Sequence, residues 1–284
     1  MLDLQGFGPM LLLGAWMTVQ VALTAAFFGV LLGLGVALMK LSSSRIARLL
    51  GDIYTTVLRG VPILVVIPVS LTDTSFIGMP REHLSLQHFE TFWNSPRWLQ
   101  ATWTSAWIGA TVALISTVLG TAFCIGCWLL SNRAATIMRW VMIVPILVPP
   151  VVQSMGFYHF WVVLGLVDTH AGVILAHTLL ALPYVSISVF AALTNLDPRI
   201  PQAARNLGAP LGMAIRTVIL PAIRPGMITG AVFAFIVSFD EIVGVLFITV
   251  RRVETLPKMM WQGIQESIDP VIAAVATILV VATL

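Results

Sequence analysis

The sequence predicts an all-α polytopic membrane protein with about six or seven transmembrane helices. Three observations carry this. Of 284 residues, 58% are hydrophobic, only 10% are charged, and mean hydropathy is +0.98. Soluble globular domains are nearer half apolar and a quarter charged. The charges fall in short clusters between long uncharged runs. The runs are continuously apolar rather than alternating, and a helix satisfies every backbone N–H and C=O within its own segment.

The runs follow in order. Residues 4–39 carry no charge over 36 positions, more than the ~20 that cross the hydrocarbon. Gly29 and Gly33 make a small-xxx-small face suited to close helix packing. Residues 40–59, with Lys40, Arg45, Arg48 and Arg59, read as a loop or surface helix. Residues 61–71 are short for a span and need 53–58 as first turns, with Arg59 snorkelling or facing protein. Residues 72–100 are polar, and Trp93, Trp98, Trp103 and Trp107 suggest an interfacial aromatic belt. Spans follow at 101–130, at 140–167 with Pro145, Pro149 and Pro150 inside, at 171–195, and at 225–250. Residues 251–269 are polar. A last apolar run, 270–284, reaches about 22 Å against about 30 Å of hydrocarbon, which suggests a fragment or truncated product.

Seven segments alternate sides. Ten of the fifteen Lys and Arg residues lie in 40–59, 131–139 and 196–224. The positive-inside bias places those loops in the cytoplasm, the N-terminus outside and the C-terminus inside. It also accounts for a pI near 9.2 without nucleic acid as a partner. Met1-Leu2-Asp3 lacks the positive start of a cleaved signal peptide. Cys124 and Cys127 form C-x-x-C within an apolar run and read as free thiols in a helix. No set of His and Cys has metal spacing, no H-E-x-x-H occurs, and no G-x-x-x-x-G-K-[ST] occurs to hold ATP.

Asp240 and Glu241 are the most informative charges. They fall within an apolar run, in the outer half of the membrane, where ionisable groups usually face a bundle interior or a water-filled path. They line a route for a cationic solute, or they close a helix at the head-group boundary and pair with Arg251 or Arg252. Phe157, Tyr158, His159 and Trp161 either hold a cation through ring faces or pack. The three prolines free carbonyls that line a path or mark a bend. His177 and Tyr184 share a helix face and read as a buried pair, each hydrogen-bonded with neighbours.

The stretch Q-A-A-R-N-L-G-A-P-L-G-M-A-I-R-T-V-I-L-P at 202–221 reads as a short helix, a Gly/Pro turn and a second short helix. It resembles the cytoplasmic coupling loop of ABC importer permeases, whose pattern is E-A-A, three residues, Gly, nine residues, Ile, one residue, Leu-Pro. Ala203, Ala204, Gly208, Leu220 and Pro221 are in register, Val218 replaces the Ile, and Gln202 replaces the Glu. From about residue 62 onward the chain resembles the permeases of polyamine (spermidine/putrescine) importers, through P-I-L-V-V-I-P-V-S-L-T-D-T at 62–74, R-P-G-M-I-T-G at 224–230, A-F-I-V-S-F-D-E at 234–241 and T-L-P-K-M-M at 255–260. Residues 1–62 instead resemble polar amino-acid permeases, through G-A-W-M-T-V-Q-V-A-L-T-A-A at 14–26 and Y-T-T-V-L-R-G-V-P at 54–62. The chain divides accordingly into 1–62 and 63–284, with the coupling loop at 197–224.

The resemblance implies a type I ABC importer transmembrane domain, which is a transport subunit and not an enzyme. It implies a bacterial inner-membrane location and four kinds of partner. These are ABC ATPase subunits, a second permease or a copy of this chain, a solute-binding protein, and the bilayer. No cofactor is expected here; ATP and Mg sit on the ATPase. Gln202, Ala203, Ala204, Gly208, Leu220 and Pro221 would meet that ATPase. Asp240, Glu241, Tyr158 and Tyr184 are the candidate solute path. An amino-acid permease, an inactive fusion or fragment, and an ATP-independent carrier or channel are the alternatives.

Overall fold

The uncharged runs become helices, and the polar clusters supply their ends. The computed structural model describes residues 8–80, 83–266 and 269–283. Met1 to Asp3, Arg81, Glu82 and Leu284 lie outside these, as do the side chains of 56–64, including Arg59. The chain opens with α1 (Gly8–Leu41) and α2 (Arg45–Ser70). Their connection is three residues, so of the two readings of 40–59, loop or surface helix, the helix holds from Arg45 onward. Ser44 caps α2 by accepting from the Ala47 N–H, and Lys40 pairs with Asp52 at 3.0 Å, so the basic cluster is helical on both sides of a tight turn. The expected close packing at Gly29 and Gly33 is absent. A Cβ at either meets nothing within 4 Å.

Next come α3 (Gln87–Asn94), α4 (Pro96–Leu130), α5 (Arg133–Leu147), α6 (Pro150–Leu164) and α7 (His170–Thr194). The segment expected to be the coupling loop forms α8 (Arg199–Asn206) and α9 (Leu211–Ala214), followed by a π-helical turn (Ile215–Ile219). Then come α10 (Leu220–Asp240), α11 (Val243–Ile248), α12 (Leu256–Glu266) and α13 (Val271–Thr283). No strand occurs among the described residues. Among the described residues four helical segments are long and apolar enough to cross a membrane: Val19–Leu41, Pro96–Leu130, His170–Thr194 and Leu211–Asp240. Counting the α5–α6 pair, bent by 102°, as one broken span gives five. The six or seven expected also count α2 and the thirteen-residue α13.

The core is the α4–α7–α10 bundle. Small residues bring these helices together. A Cβ on Gly120 of α4 would stand 2.8 Å from Val185 of α7, and one on Gly230 of α10 would stand 3.2 Å from the same residue. At Gly226 it would reach 2.5 Å from the Ala192 side chain and 2.7 Å from the Ser188 carbonyl. His177, buried in α7, bonds Ser238 of α10 through Nδ1 at 2.9 Å. A second cluster joins Phe92, Trp98, Leu256, Met259 and Val271 at the opposite end from the coupling segment. Here the aromatic belt needs correction. Trp98 is 5% exposed and Trp107 packs on His170 at 5.3 Å, whereas Trp93 and Trp103 are exposed. One helical turn or so separates these residues on α4, and the 100° step sends them to different faces.

Candidate functional site

The coupling segment is a hairpin because its sequence breaks a helix twice. After α8, Gly208 adopts φ +94°, a conformation that a Cβ penalises, and Pro210 opens α9. Gly208 N–H donates to Arg205 C=O at 2.9 Å and Ala209 N–H to Ala204 C=O at 3.1 Å, closing α8 with backbone bonds. Gln202, Arg205, Gly208 and Leu211 line a cleft of about 440 Å3 at the tip. Leu207 beside it is 89% exposed. Gln202, Ala203, Ala204 and Gly208 thus share the tip. Leu220 and Pro221 lie at the base, past the π-helical turn, where Leu220 N–H reaches Ile215 C=O. Ile219 and Ile223 anchor that base in the core.

The candidate path residues separate. The 225–250 run is not one helix: α10 ends at Asp240, and Glu241 and Ile242 break it before α11. Glu241 Oε1 accepts the Gly244 N–H at 2.7 Å and so caps α11. Glu241 and Tyr184 then face one cavity of about 120 Å3, together with Gln153 and Ser154. Asp240 faces a different hollow, walled by Phe239, Leu256 and Trp261. Tyr158 is exposed on α6 near His159, Leu246 and Phe247. Neither acid pairs with Arg251 or Arg252 among the described residues. His177 is buried and bonded to a neighbour, Ser238, as expected, whereas Tyr184 is only half-buried. Phe157 packs on Trp161, whose Nε1–H donates to Gly172 C=O at 2.8 Å.

Gln153 and Ser154 escaped the sequence reading. Pro149 and Pro150 break the span and leave carbonyls open. The Gln153 amide donates to the carbonyls of Pro145 and Val148, and Ser154 Oγ to that of Pro150 at 2.7 Å. The available signal was a Gln three residues past a Pro-Pro pair in an apolar run. A clamp was also missed. Asp168, at φ +57°, accepts backbone N–H bonds from Val250, Arg251, Arg252 and Val253, and its own N–H donates to Ile248 C=O at 2.8 Å. Burial raises its pKa, but the four N–H donors outweigh that and hold it at about 2. Lys258 closes the other side of the loop, donating to Thr249 Oγ1 at 2.8 Å and to the carbonyls of Val250 and Val253. Burial lowers its pKa. The clamp fixes the end of α11, and so the N–H that holds Glu241. No group of three or more metal-ligating side chains occurs among the described residues. Cys124 and Cys127 are free and buried.

A family described as "Binding-protein-dependent transport system inner membrane component" matches residues 122–284, more than half the chain. The chain belongs to this family. It is a multi-pass inner-membrane permease subunit of an ABC importer, a transport component rather than an enzyme, and works with an ATPase and a binding protein. The permease is 25% identical to the spermidine/putrescine transport system permease protein PotC of Haemophilus influenzae over 224 residues, covering 79% of this chain and 87% of that one. It is 26% identical to Escherichia coli PotC over 224 residues, with 79% and 84% covered. The putrescine permease PotI of Escherichia coli is 32% identical over 105 residues, 37% of each chain. Among solved structures, an amino acid ABC transporter with histidines superposes at TM-score 0.51 with 19% identity, covering 69% of this chain and 92% of that one. A bacterial alginate importer superposes at 0.52 with 13% identity, covering 85% and 95%. The fold is that of a type I ABC importer membrane domain.

Proposed function

We propose that this permease carries a small cationic, polyamine-like solute, and that Glu241 is the acidic group on its route. The observation that carries the reading is the Glu241 carboxylate at a helix break, facing with Tyr184, Gln153 and Ser154 a cavity otherwise walled by apolar side chains. A primary ammonium carries three N–H donors and a charge, which a carboxylate and a phenol oxygen match. The relatives named for spermidine and putrescine support the same solute class. In this reading the tip at Gln202, Ala203, Ala204 and Gly208 docks on the ATPase, which binds ATP and Mg. Closure of the ATPases moves the hairpin, and the π-helical turn passes that movement to α10, whose far end carries Glu241. A second permease or a second copy of this chain completes the path, and a solute-binding protein delivers the cargo. The loops near residues 43, 131 and 208 are cytoplasmic, with the N-terminus outside.

The test is uptake of radiolabelled spermidine by cells carrying the whole importer. Glu241→Gln removes one charge-assisted contact, worth about 1.5–3 kcal/mol, and uptake at low spermidine falls roughly 10- to 100-fold. Asp240→Asn has a much smaller effect. Unchanged uptake in Glu241→Gln at several concentrations overturns the assignment.

A further inference from the structure

We propose that the Glu241 cavity recognises one terminal primary ammonium group of the solute through its N–H donors, with Gln153 as a specificity residue. The proposal rests on the cationic-solute reading of this cavity and names the chemical end that enters it. The cavity holds about 120 Å3. That is the liquid volume of about four waters, against ~300 Å3 or more for a site that encloses a whole small molecule. It therefore seats the end of a chain and not an entire polyamine.

The hydrogen bonds already made on the wall decide which end. Gln153 donates both amide N–H groups, to the carbonyls of Pro145 and Val148, so the amide has only its oxygen left to offer. Ser154, 2% exposed, donates its hydroxyl proton to Pro150 C=O at 2.7 Å and keeps lone pairs alone. Glu241 accepts the Gly244 N–H on Oε1, and among the described residues no donor reaches Oε2. Tyr184 brings the hydroxyl that can still act either way. No Lys, Arg or His among the described residues lines the cavity. Three of its four polar side chains are therefore acceptors only, and one of them is charged. A solute carboxylate or phosphate would meet acceptors and a like charge. A trimethylated nitrogen keeps its positive charge but brings no N–H, so these oxygens would lose water and gain no partner. A primary ammonium brings three donors and the charge in a small volume. The α5–α6 break sets this selectivity, because the carbonyls at its prolines are what occupy the Gln153 N–H groups.

The test is thiol labelling of Ile146→Cys in the assembled permease–ATPase complex, with the binding protein left out so that its own selectivity plays no part. Ile146 lines the cavity and is 40% exposed, while Cys124 and Cys127 are buried. A neutral methanethiosulfonate, followed by the mass of this chain, thus reports on position 146. Three compounds are compared by the concentration that halves the labelling rate: putrescine, putrescine trimethylated at one nitrogen, and putrescine trimethylated at both. The first two agree within about twofold, since the second has one primary end instead of two. The doubly trimethylated compound needs about 100-fold more, because a site built on hydrogen bonds rejects an analogue that lacks the donors. Gln153→Met, similar in length, narrows that gap to about tenfold. Equal protection by putrescine and its doubly trimethylated form overturns recognition through N–H and leaves the cationic-solute reading standing. Weak protection by the singly trimethylated compound overturns entry by one end. An unchanged gap in Gln153→Met overturns the role of Gln153. No protection by any of the three overturns this proposal and the cationic-solute reading together. The comparison of compounds alters none of the polar residues on the wall, so it decides the matter even where Gln153→Met fails to assemble.

Discussion

Asp168→Asn is the sharpest probe of how the outer loop holds the site. The carboxylate is held at about 2 against 3.8 for the free group, a gap worth about 2.5 kcal/mol at full strength. The carboxylate is only half-buried, and solvent screening reduces this to about 1 kcal/mol. Asparagine keeps the positive φ at low cost and leaves one oxygen to accept, so the variant isolates the charge. A depressed pKa contributes stability above the unfolded value and loses it as pH falls through the folded one. The contribution is therefore complete at pH 7, begins to fade near pH 4 and is about half gone by pH 3. Heat-induced unfolding of the purified chain, followed by tryptophan fluorescence, should show Asp168→Asn about 2–4 °C below wild type at pH 7. That gap should roughly halve at pH 3. Equal stability at pH 7, or a gap that ignores pH, refutes the clamp. Loosening α11 also frees the Gly244 N–H that donates to Glu241, so spermidine uptake should fall alongside stability.

Three further outcomes follow from the fold. Gly208→Trp puts a large side chain on a φ of +94° at the hairpin tip; co-purification of the ATPase should drop at least tenfold while membrane insertion is unaffected, and full retention would move the docking site elsewhere. Gly226→Leu drives a side chain into Ala192 and the Ser188 carbonyl at the α7–α10 crossing, and should cost about 3 kcal/mol or more, seen as a large loss of thermal stability; a neutral result would mean that the crossing is looser than 2.5 Å implies. Deleting residues 1–41 removes a helix whose span window has no buried residues. The shortened chain should retain the ATPase, and its loss would assign α1 a structural role.

Much of the fold was legible because lipid leaves few choices. Uncharged runs of span length at 101–130 and 171–195 had to be helices, and α4 and α7 are. The hairpin at 202–221 was legible because Gly208 and Pro210 act locally on their own backbone. Errors came where a polar residue's fate depended on a distant partner. For 40–59 the sequence left loop and surface helix open, and the Lys40–Asp52 contact across a turn goes with the helix. Trp98 left the aromatic belt because Leu256 and Val271 fold back over it. Asp168 lies between two apolar runs, and only the 250–253 backbone arriving beside it makes it a clamp.

The candidate site shows the same division. Sequence singled out Asp240 and Glu241 together, since charge in an apolar run is costly wherever the helix lies. It could not separate them, because the break at 241–242 is imposed by α11 packing on α6 and α7. Nor could it bring Tyr184, Gln153 and Glu241 to one cavity, because they come from α7, α6 and the α10–α11 break. By itself, then, the sequence determined the membrane-spanning α architecture and the hairpin at 202–221, since hydrophobic burial and local backbone chemistry act on neighbours along the chain. Only the tertiary structure decided which acid faces the polar cavity and which loop the Asp168 carboxylate holds, because those depend on side chains far apart in sequence meeting across helix crossings.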